Sequence, residues 1–291
     1  MSTRRENIER ICSAIIPLYD PREARNIAEW IVCEGEGISR SQLVVFPDEE
    51  SSVQNLDSLI AELVSGRPVQ YLLGYGEFYG EKFEVGEGVL IPRPETEELV
   101  SWICEDVAAE RGGAELASAP KVKILDLCTG SGCIAITLAR EVTDSEVTAL
   151  DISPEALHYA RRNGSRLAPQ VRILEGDVLA GVETIIDEEF DVIVSNPPYI
   201  PASDIATMHA NVRDFEPHCA LFVADERPLL FYEVIADSAL TLLRSGGRLY
   251  FEIYEKLGDE LCTMLREKGF VEVTLRRDLN DKPRMICCRK C

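Results

Sequence analysis

Apolar residues recur at helical spacing from the start of the chain: Ile8, Ile11, Cys12, Ile15 and Ile16, then Ala24, Ile27, Ala28 and Ile31. A third set follows at Leu56, Leu59, Ile60 and Leu63. Each set falls on one face of a 3.6-residue repeat, which predicts three amphipathic helices. Gly66 stands where a helix-ending glycine belongs, and Pro68 can open a further short helix through Tyr71 and Leu72. No catalytic constellation occurs here, so residues 1–73 read as a helical recognition domain.

Between residues 74 and 94 the pattern shortens. Glycines at 74, 76, 80, 86 and 88 punctuate stretches carrying Phe78, Phe83 and Val85, the texture of a β-hairpin linker. Pro92-Arg93-Pro94-Glu95-Thr96-Glu97 then opens a helix, with proline in its first turn and carboxylates at its positive end. A small-residue stretch over 111–120 reads as exposed. Strands are predicted at 122–127, 147–150, 171–174, 192–195 and 248–253, with helical patterns between the earlier ones and a longer one over 228–243. That alternation predicts an α/β fold, a doubly wound and mainly parallel sheet with helices on both faces. Strands at 271–275 and 284–288, separated by only a turn, predict an antiparallel hairpin closing one edge. The expected organisation is therefore 1–73, 74–94 and an α/β domain over 95–291.

Composition narrows the function classes. With 46% hydrophobic and 28% charged residues, the 291-residue chain is of the soluble globular kind. Its 51 acidic and 30 basic residues give a formal net charge of -21. Such a field repels a polyanion unless a local basic patch overrides it, and runs such as Arg161-Arg162 are too short to do so. Nucleic acid is disfavoured as substrate. The opening MSTRRENIERI lacks the apolar core of a signal peptide, and no segment is long and apolar enough to span a bilayer. A cytoplasmic location is expected, with the ten cysteines reduced. Cys288 and Cys291 form a CxxC, but no second pair or nearby histidine completes a tetrahedral set, so no metal is expected.

The candidate chemistry sits at strand ends. The first strand of the alternating region runs into Asp126-Leu127-Cys128-Thr129-Gly130-Ser131-Gly132, followed by a helix. Glycines there let the backbone turn tightly beside a ligand, although alone they can equally serve strand–helix packing. Asp151 ends the next strand, placed as a carboxylate that accepts from ribose hydroxyls, and Asp177 follows the third. Ligands of open parallel sheets bind beyond this edge. The pattern lacks G-x-G-x-x-G and a P-loop lysine, which points away from dinucleotides and triphosphates. A phosphate-free adenosine compound fits, and S-adenosylmethionine adds a cationic sulfonium that tolerates acidic surroundings.

The fourth strand ends on Asn196-Pro197-Pro198-Tyr199. Proline has no N–H and holds the preceding residue extended, so this stretch offers carbonyl acceptors without competing donors. Asn196 adds a side-chain carbonyl, and Tyr199 an aromatic face. Two convergent acceptors beside a methyl donor would grip an –NH2 group and aim its lone pair for in-line displacement. A rigid strand stop is the plainer reading of the same prolines. Arg93 is placed to line the site, with capping or packing as its alternative role; His209 and His218 read as surface residues.

Asp126 to Gly132 together with the Asn-Pro-Pro-Tyr motif resembles class I S-adenosylmethionine-dependent methyltransferases that modify planar nitrogens. The stretches GRPVQYLLGYGEFYG, LIPRPETEELV, NPPYIP and FEPHCALF are similar to the bacterial release factor glutamine methyltransferases of the PrmC/HemK family, across essentially the whole chain. The resemblance implies a Rossmann-like methyltransferase domain and methylation of the side-chain amide of the glutamine in the Gly-Gly-Gln motif of peptide chain release factors. It assigns the cofactor loop to Cys128, Thr129, Gly130, Ser131 and Gly132, the ribose acid to Asp151, and the adenine pocket to Asp177 and Val178, with Asn196 also counted among the cofactor-binding residues. Asn196 and the Pro197 carbonyl hold the glutamine amide, with Pro198 and Tyr199 beside them. Cys128 departs from the glycine found in many relatives. Glutamine methylation of a ribosomal protein shares these motifs; adenine methylation shares only the Asn-Pro-Pro-Tyr chemistry. A non-enzymatic binding protein would not require both Asp151 and Asn196. A monomer is expected.

Overall fold

A computed structural model describes residues 2–112 and 120–291, so most of the stretch expected to be exposed over 111–120 lies outside the described residues. The helices at the front are α1 (Arg4–Ile15), α2 (Pro21–Glu36), α3 (Arg40–Val45), α4 (Leu56–Val64) and α5 (Val69–Leu73). Each of the first three has a side-chain cap. Thr3 and Glu6 form a capping box, Asp20 accepts from two backbone amides ahead of Pro21, and Ser39 pairs reciprocally with Gln42. The predicted apolar faces are inward at Ile8, Ile11, Ile15, Ala24, Ile27, Ala28, Ile31 and Leu63, which form one core, but Ile16, expected on the first face, caps the end of α1 and is 49% exposed. Helix α3 was not legible from periodicity, because it buries only Leu43 while Val44 and Val45 face outward.

A tight hairpin follows, β1 (Tyr75–Phe78) and β2 (Glu81–Glu84). Tyr79 and Gly80 between them both have positive φ (51° and 76°), the backbone of a two-residue hairpin turn. The remaining elements are α6 (Pro94–Arg111), β3 (Val122–Leu127), α7 (Cys133–Glu141), β4 (Ser145–Asp151), α8 (Pro154–Leu167), β5 (Arg172–Glu175) and β6 (Phe190–Ser195). Then come β7 (Ile200–Pro201), α9 (Ala210–Phe215), α10 (His218–Leu221), β8 (Phe222–Val223), α11 (Leu230–Leu242), β9 (Leu243–Glu252), α12 (Gly258–Glu267), β10 (Val271–Arg277) and β11 (Pro283–Arg289).

The described residues divide into two units, Met1–Tyr75 with His209–Phe215, and Gly76–Met208 with Glu216–Cys291. Residues 76–94 thus belong with the sheet. The short return of the chain to the first unit is held by His209, whose Nε2–H donates to the Leu18 carbonyl at 2.7 Å, with its ring 5.4 Å from that of Tyr19.

In the second unit the sheet order is β10-β11-β9-β6-β3-β4-β5. β9, β6, β3, β4 and β5 are mutually parallel, while β11 runs antiparallel to β9 and to β10. The doubly wound sheet with an antiparallel edge hairpin is therefore present. Side chains alternate as a pleated sheet requires. Ile124, Val192, Val194, Tyr250 and Cys287 face the helices α6 and α7 and the hairpin's Phe78 and Phe83. Leu125, Leu127, Ile193, Leu249, Phe251, Ile286 and Cys288 face α11 and α12. Cys288 is thereby fixed in the core, whereas Cys291 is exposed and bonds the Gly269 carbonyl. Among the described residues no helix is long and apolar enough to cross a membrane.

Candidate active site

From β3 the chain steps outward through β4 to β5, then returns to place β6 on the other side of β3. Such a reversal opens a crevice at the carboxyl ends of the two strands. The register sets Leu127 opposite Ser195, so the glycine loop after β3 and the Asn-Pro-Pro-Tyr segment after β6 leave the sheet side by side. Ser195 Oγ donates to the Leu127 carbonyl at 2.7 Å and joins the two exits.

Two acids hold the glycine loop and a third stands beyond the next strand. Asp126 is fully buried; its Oδ2 accepts from Thr129 Oγ1 at 2.5 Å and from Ala135 N at 3.1 Å, while Oδ1 has no partner. Burial pushes its carboxyl up to about 7. Asp151 spreads its acceptors, Oδ2 taking Gly130 N at 2.8 Å and Oδ1 taking Ser153 N at 2.9 Å. Burial raises its carboxyl too, against those backbone bonds. One amide per oxygen leaves lone pairs for hydroxyl donors. Asp177 accepts from Leu179 N at 2.8 Å and caps a short 3₁₀ turn that begins at Val178.

Cys128 has φ 60°, a left-handed conformation that an L side chain adopts at a cost of about 1–2 kcal/mol. Its thiol is pushed up by burial and by Asp151, so it stays protonated and is no nucleophile. Gly130 also has positive φ, and a Cβ there would meet nothing within 4 Å, so the loop's outer edge is open. Gly132 is constrained by packing, since a Cβ would lie 2.8 Å from Ile136 Cδ1.

The loop after β6 is pinned from two sides. Tyr199 N donates to the Leu221 carbonyl at 3.2 Å, and β7 pairs with β8. Tyr199 turns its hydroxyl inward to Glu252 Oε1 at 3.0 Å, and burial beside that carboxyl holds the phenol proton firmly. Glu252, the last residue of β9 and buried, also accepts from Thr96 Oγ1 at 2.6 Å. Asn196 Nδ2 donates to Thr96 Oγ1 at 3.4 Å. Arg93 is paired with buried Glu216, whose other oxygen accepts from Ile91 N at 3.3 Å. The PRPETE and FEP segments of the sequence are therefore bonded to each other.

These residues surround a cavity of about 260 Å³. Cys128, Thr129, Gly130, Ser131, Asp151, Asp177, Val178, Asn196, Pro198 and Arg93 line it; Gly132, Pro197 and Tyr199 stand outside its lining. His209 groups with the first unit, and the His218 ring lies 5.0 Å from that of Phe222. Sequence reasoning missed Ile152 and Leu179, apolar side chains 56% and 42% exposed that line the cavity. It also missed Thr96, Glu216 and Glu252. The signal for Glu252 was available: it is one more acid at the carboxyl end of a parallel strand. An adenosine group finds here what it needs, open acceptors on Asp151, bare apolar cover from Ile152 and Leu179, and a loop edge with nothing in front of Gly130.

The chain matches two family profiles, "Methyltransferase small domain" over residues 111–214 and "PrmC N-terminal domain" over residues 19–74. The release factor glutamine methyltransferase of Flavobacterium psychrophilum is 38% identical over 276 residues, covering 94% of each chain. That of Bacteroides thetaiotaomicron is 39% identical over 276 residues, covering 94% of this chain and 95% of its own. Among solved structures, the human methyltransferase 10 domain containing protein aligns with a TM-score of 0.53 at 16% identity, over 72% of this chain and 89% of that one. A methyltransferase from Pyrococcus furiosus aligns with a TM-score of 0.51 at 18% identity, over 80% and 98%. Both share the fold of the sheet and its helices.

Proposed function

Because this chain belongs to the release factor glutamine methyltransferase family, we propose that it transfers a methyl group from S-adenosylmethionine to the side-chain amide nitrogen of the glutamine in the Gly-Gly-Gln motif of peptide chain release factors, in the cytoplasm. The observation that carries the reading is the single cavity in which the Asp151-bound glycine loop and Asn196 meet. The front helical unit favours a release factor over a ribosomal protein, since its sequence matches the PrmC N-terminal profile. A net charge of -21 disfavours a nucleic acid substrate.

When bound, the cofactor supplies an electrophilic methyl group on a sulfonium. Asp151 accepts from ribose hydroxyls with the lone pairs its backbone bonds leave open. Ile152, Leu179 and Val178 cover the adenine beside Asp177. Asn196 Oδ1 and the Pro197 carbonyl accept from the two N–H groups of the glutamine amide and fix the plane of its nitrogen. An amide lone pair is delocalised, so orientation and stabilisation of developing positive charge would carry the rate rather than a strong base, and the methylated nitrogen would then release one N–H proton to solvent to restore a neutral amide. Tyr199, whose hydroxyl donates to Glu252, braces the loop behind the cavity and is no base.

The test is incubation with methyl-labelled cofactor and purified release factor, its Gln-to-Ala variant, or DNA. Label is expected on the wild-type release factor alone. Label on DNA or on the variant overturns the reading.

A further inference from the structure

We infer that Thr96 and Glu252 are positioning residues for Asn196, a directional hydrogen-bond relay that decides which end of its amide faces the cavity. Ser195 pairs with Phe251, so the next residues, Asn196 just past β6 and Glu252 at the end of β9, are neighbours. Thr96 comes from the first turn of α6, where Pro94 starts the helix, and is 2% exposed. Its hydroxyl stands between the two, 2.6 Å from Glu252 Oε2 and 3.4 Å from Asn196 Nδ2.

The direction of the relay follows from counting protons. Burial raises the Glu252 carboxyl, opposed by the hydrogen bonds from Thr96 and Tyr199 and by Arg284 of β11; in its ionised form the carboxylate only accepts. Thr96 and Tyr199 therefore both donate to Glu252, one to each oxygen. A threonine hydroxyl has one proton. With it directed at Glu252, Thr96 offers Asn196 only lone pairs, so Asn196 must turn Nδ2–H inward. Oδ1 is left on the other side, where Asn196 lines the cavity. Reversal of the relay would present Nδ2–H2 to the cavity, donor against the donors of an incoming –NH2 group. The carboxylate thus sets the site to receive a donor, and buried unsatisfied groups of this kind discriminate strongly.

The consequence for methyl transfer rests on the proposed substrate; the orientation of Asn196 does not, so two measurements separate them. The first uses full-length protein labelled with 15N-asparagine, without substrate or cofactor, the Asn196 side-chain pair being assigned by its loss in Asn196→Asp. A hydrogen-bonded, exchange-protected proton is expected in wild type and Thr96→Ser. Solvent-like exchange is expected in Thr96→Val and an altered shift in Glu252→Gln; where Thr96→Val does not fold, Thr96→Ala replaces it. The second measures methylation of a release factor. Thr96→Val and Glu252→Gln are expected to lower kcat at least about tenfold with KM within about twofold, and Thr96→Ser to restore it to within about threefold, as for lost orientation rather than lost binding. An Asn196 signal unchanged in Thr96→Val, or not restored by serine, overturns the relay. A bonded signal in wild type with no label on the release factor leaves the relay standing and overturns the substrate.

Discussion

Asn196 holds a planar nitrogen by geometry, so its loss should fall on rate. Asn196→Ala is expected to lower kcat at least ~100-fold while cofactor affinity, measured by calorimetry, stays within about twofold. Equal losses in both would remove Asn196 from the substrate side. Asp151→Asn makes the opposite division. It keeps the size of the side chain but replaces acceptor lone pairs with donors, and a hydrogen bond to a charged group is worth about 1.5–3 kcal/mol. Cofactor affinity should fall at least tenfold, about 1.4 kcal/mol; an unchanged Kd would refute the ribose contact. At Cys128, φ 60° carries strain that glycine lacks. Cys128→Gly should raise stability by up to about 1 kcal/mol, the strain relieved less the extra freedom of the unfolded glycine. A loss in urea unfolding would show that thiol packing outweighs the strain. The glycine loop, Asp151 and the two prolines could be read from the chain because their signals are local: permitted φ, a missing N–H, an acid at a strand end. The pairing of Thr96 with Glu252 could not, since the two are 156 positions apart and only the fold brings them together.

Between elements, Asn163 of α8 does the work of a strand. Its Oδ1 accepts from Glu84 N at 2.7 Å, and its Nδ2 donates to the carbonyls of Glu84 and Ser131, each at 3.0 Å. One buried amide so ties β2 to the glycine loop. Asn163→Leu strands three backbone partners and should cost at least ~2 kcal/mol, read from the urea midpoint, since each buried unsatisfied group costs about 1–3 kcal/mol. A smaller loss would mean that water replaces those bonds. Strand β3 was read with its observed ends, because both its faces are buried and apolar Val122, Ile124, Leu125 and Leu127 dominate it. β9 begins at Leu243, ahead of the predicted 248, because Ser245-Gly246-Gly247 interrupts the apolar signal; Gly246 has φ 80° there and the pairing with β6 shifts register between Leu243 and Arg248. The span from Ile200 to Val223 was legible only as a loop. Its strands and helices are two to six residues long, too short for any period to register.

Across the whole molecule, three carboxyls, those of buried Asp126 and Glu252 and of partly buried Asp151, are raised in the folded chain, and the unfolded chain returns them to about 4. For Asp126 the folded value is about 7. Between these pH values the folded state keeps a proton that the unfolded state has released, so this contribution is full below about pH 4 and lost as pH rises through about 7. Asp126→Asn, which mimics the protonated side chain, should flatten that limb of Tm against pH; an identical slope in both proteins would exclude Asp126 as its source. The excess of 51 acidic over 30 basic residues was visible at once, but which acids are buried was not, because burial is a property of the fold. The return of His209–Phe215 to the helical unit has a consequence in time. During synthesis the first 75 residues emerge early, yet the partner of the Leu18 carbonyl is made only after β6 and Asn196. The unit that starts first is completed late, once the central strands and the proline motif of the other unit already exist.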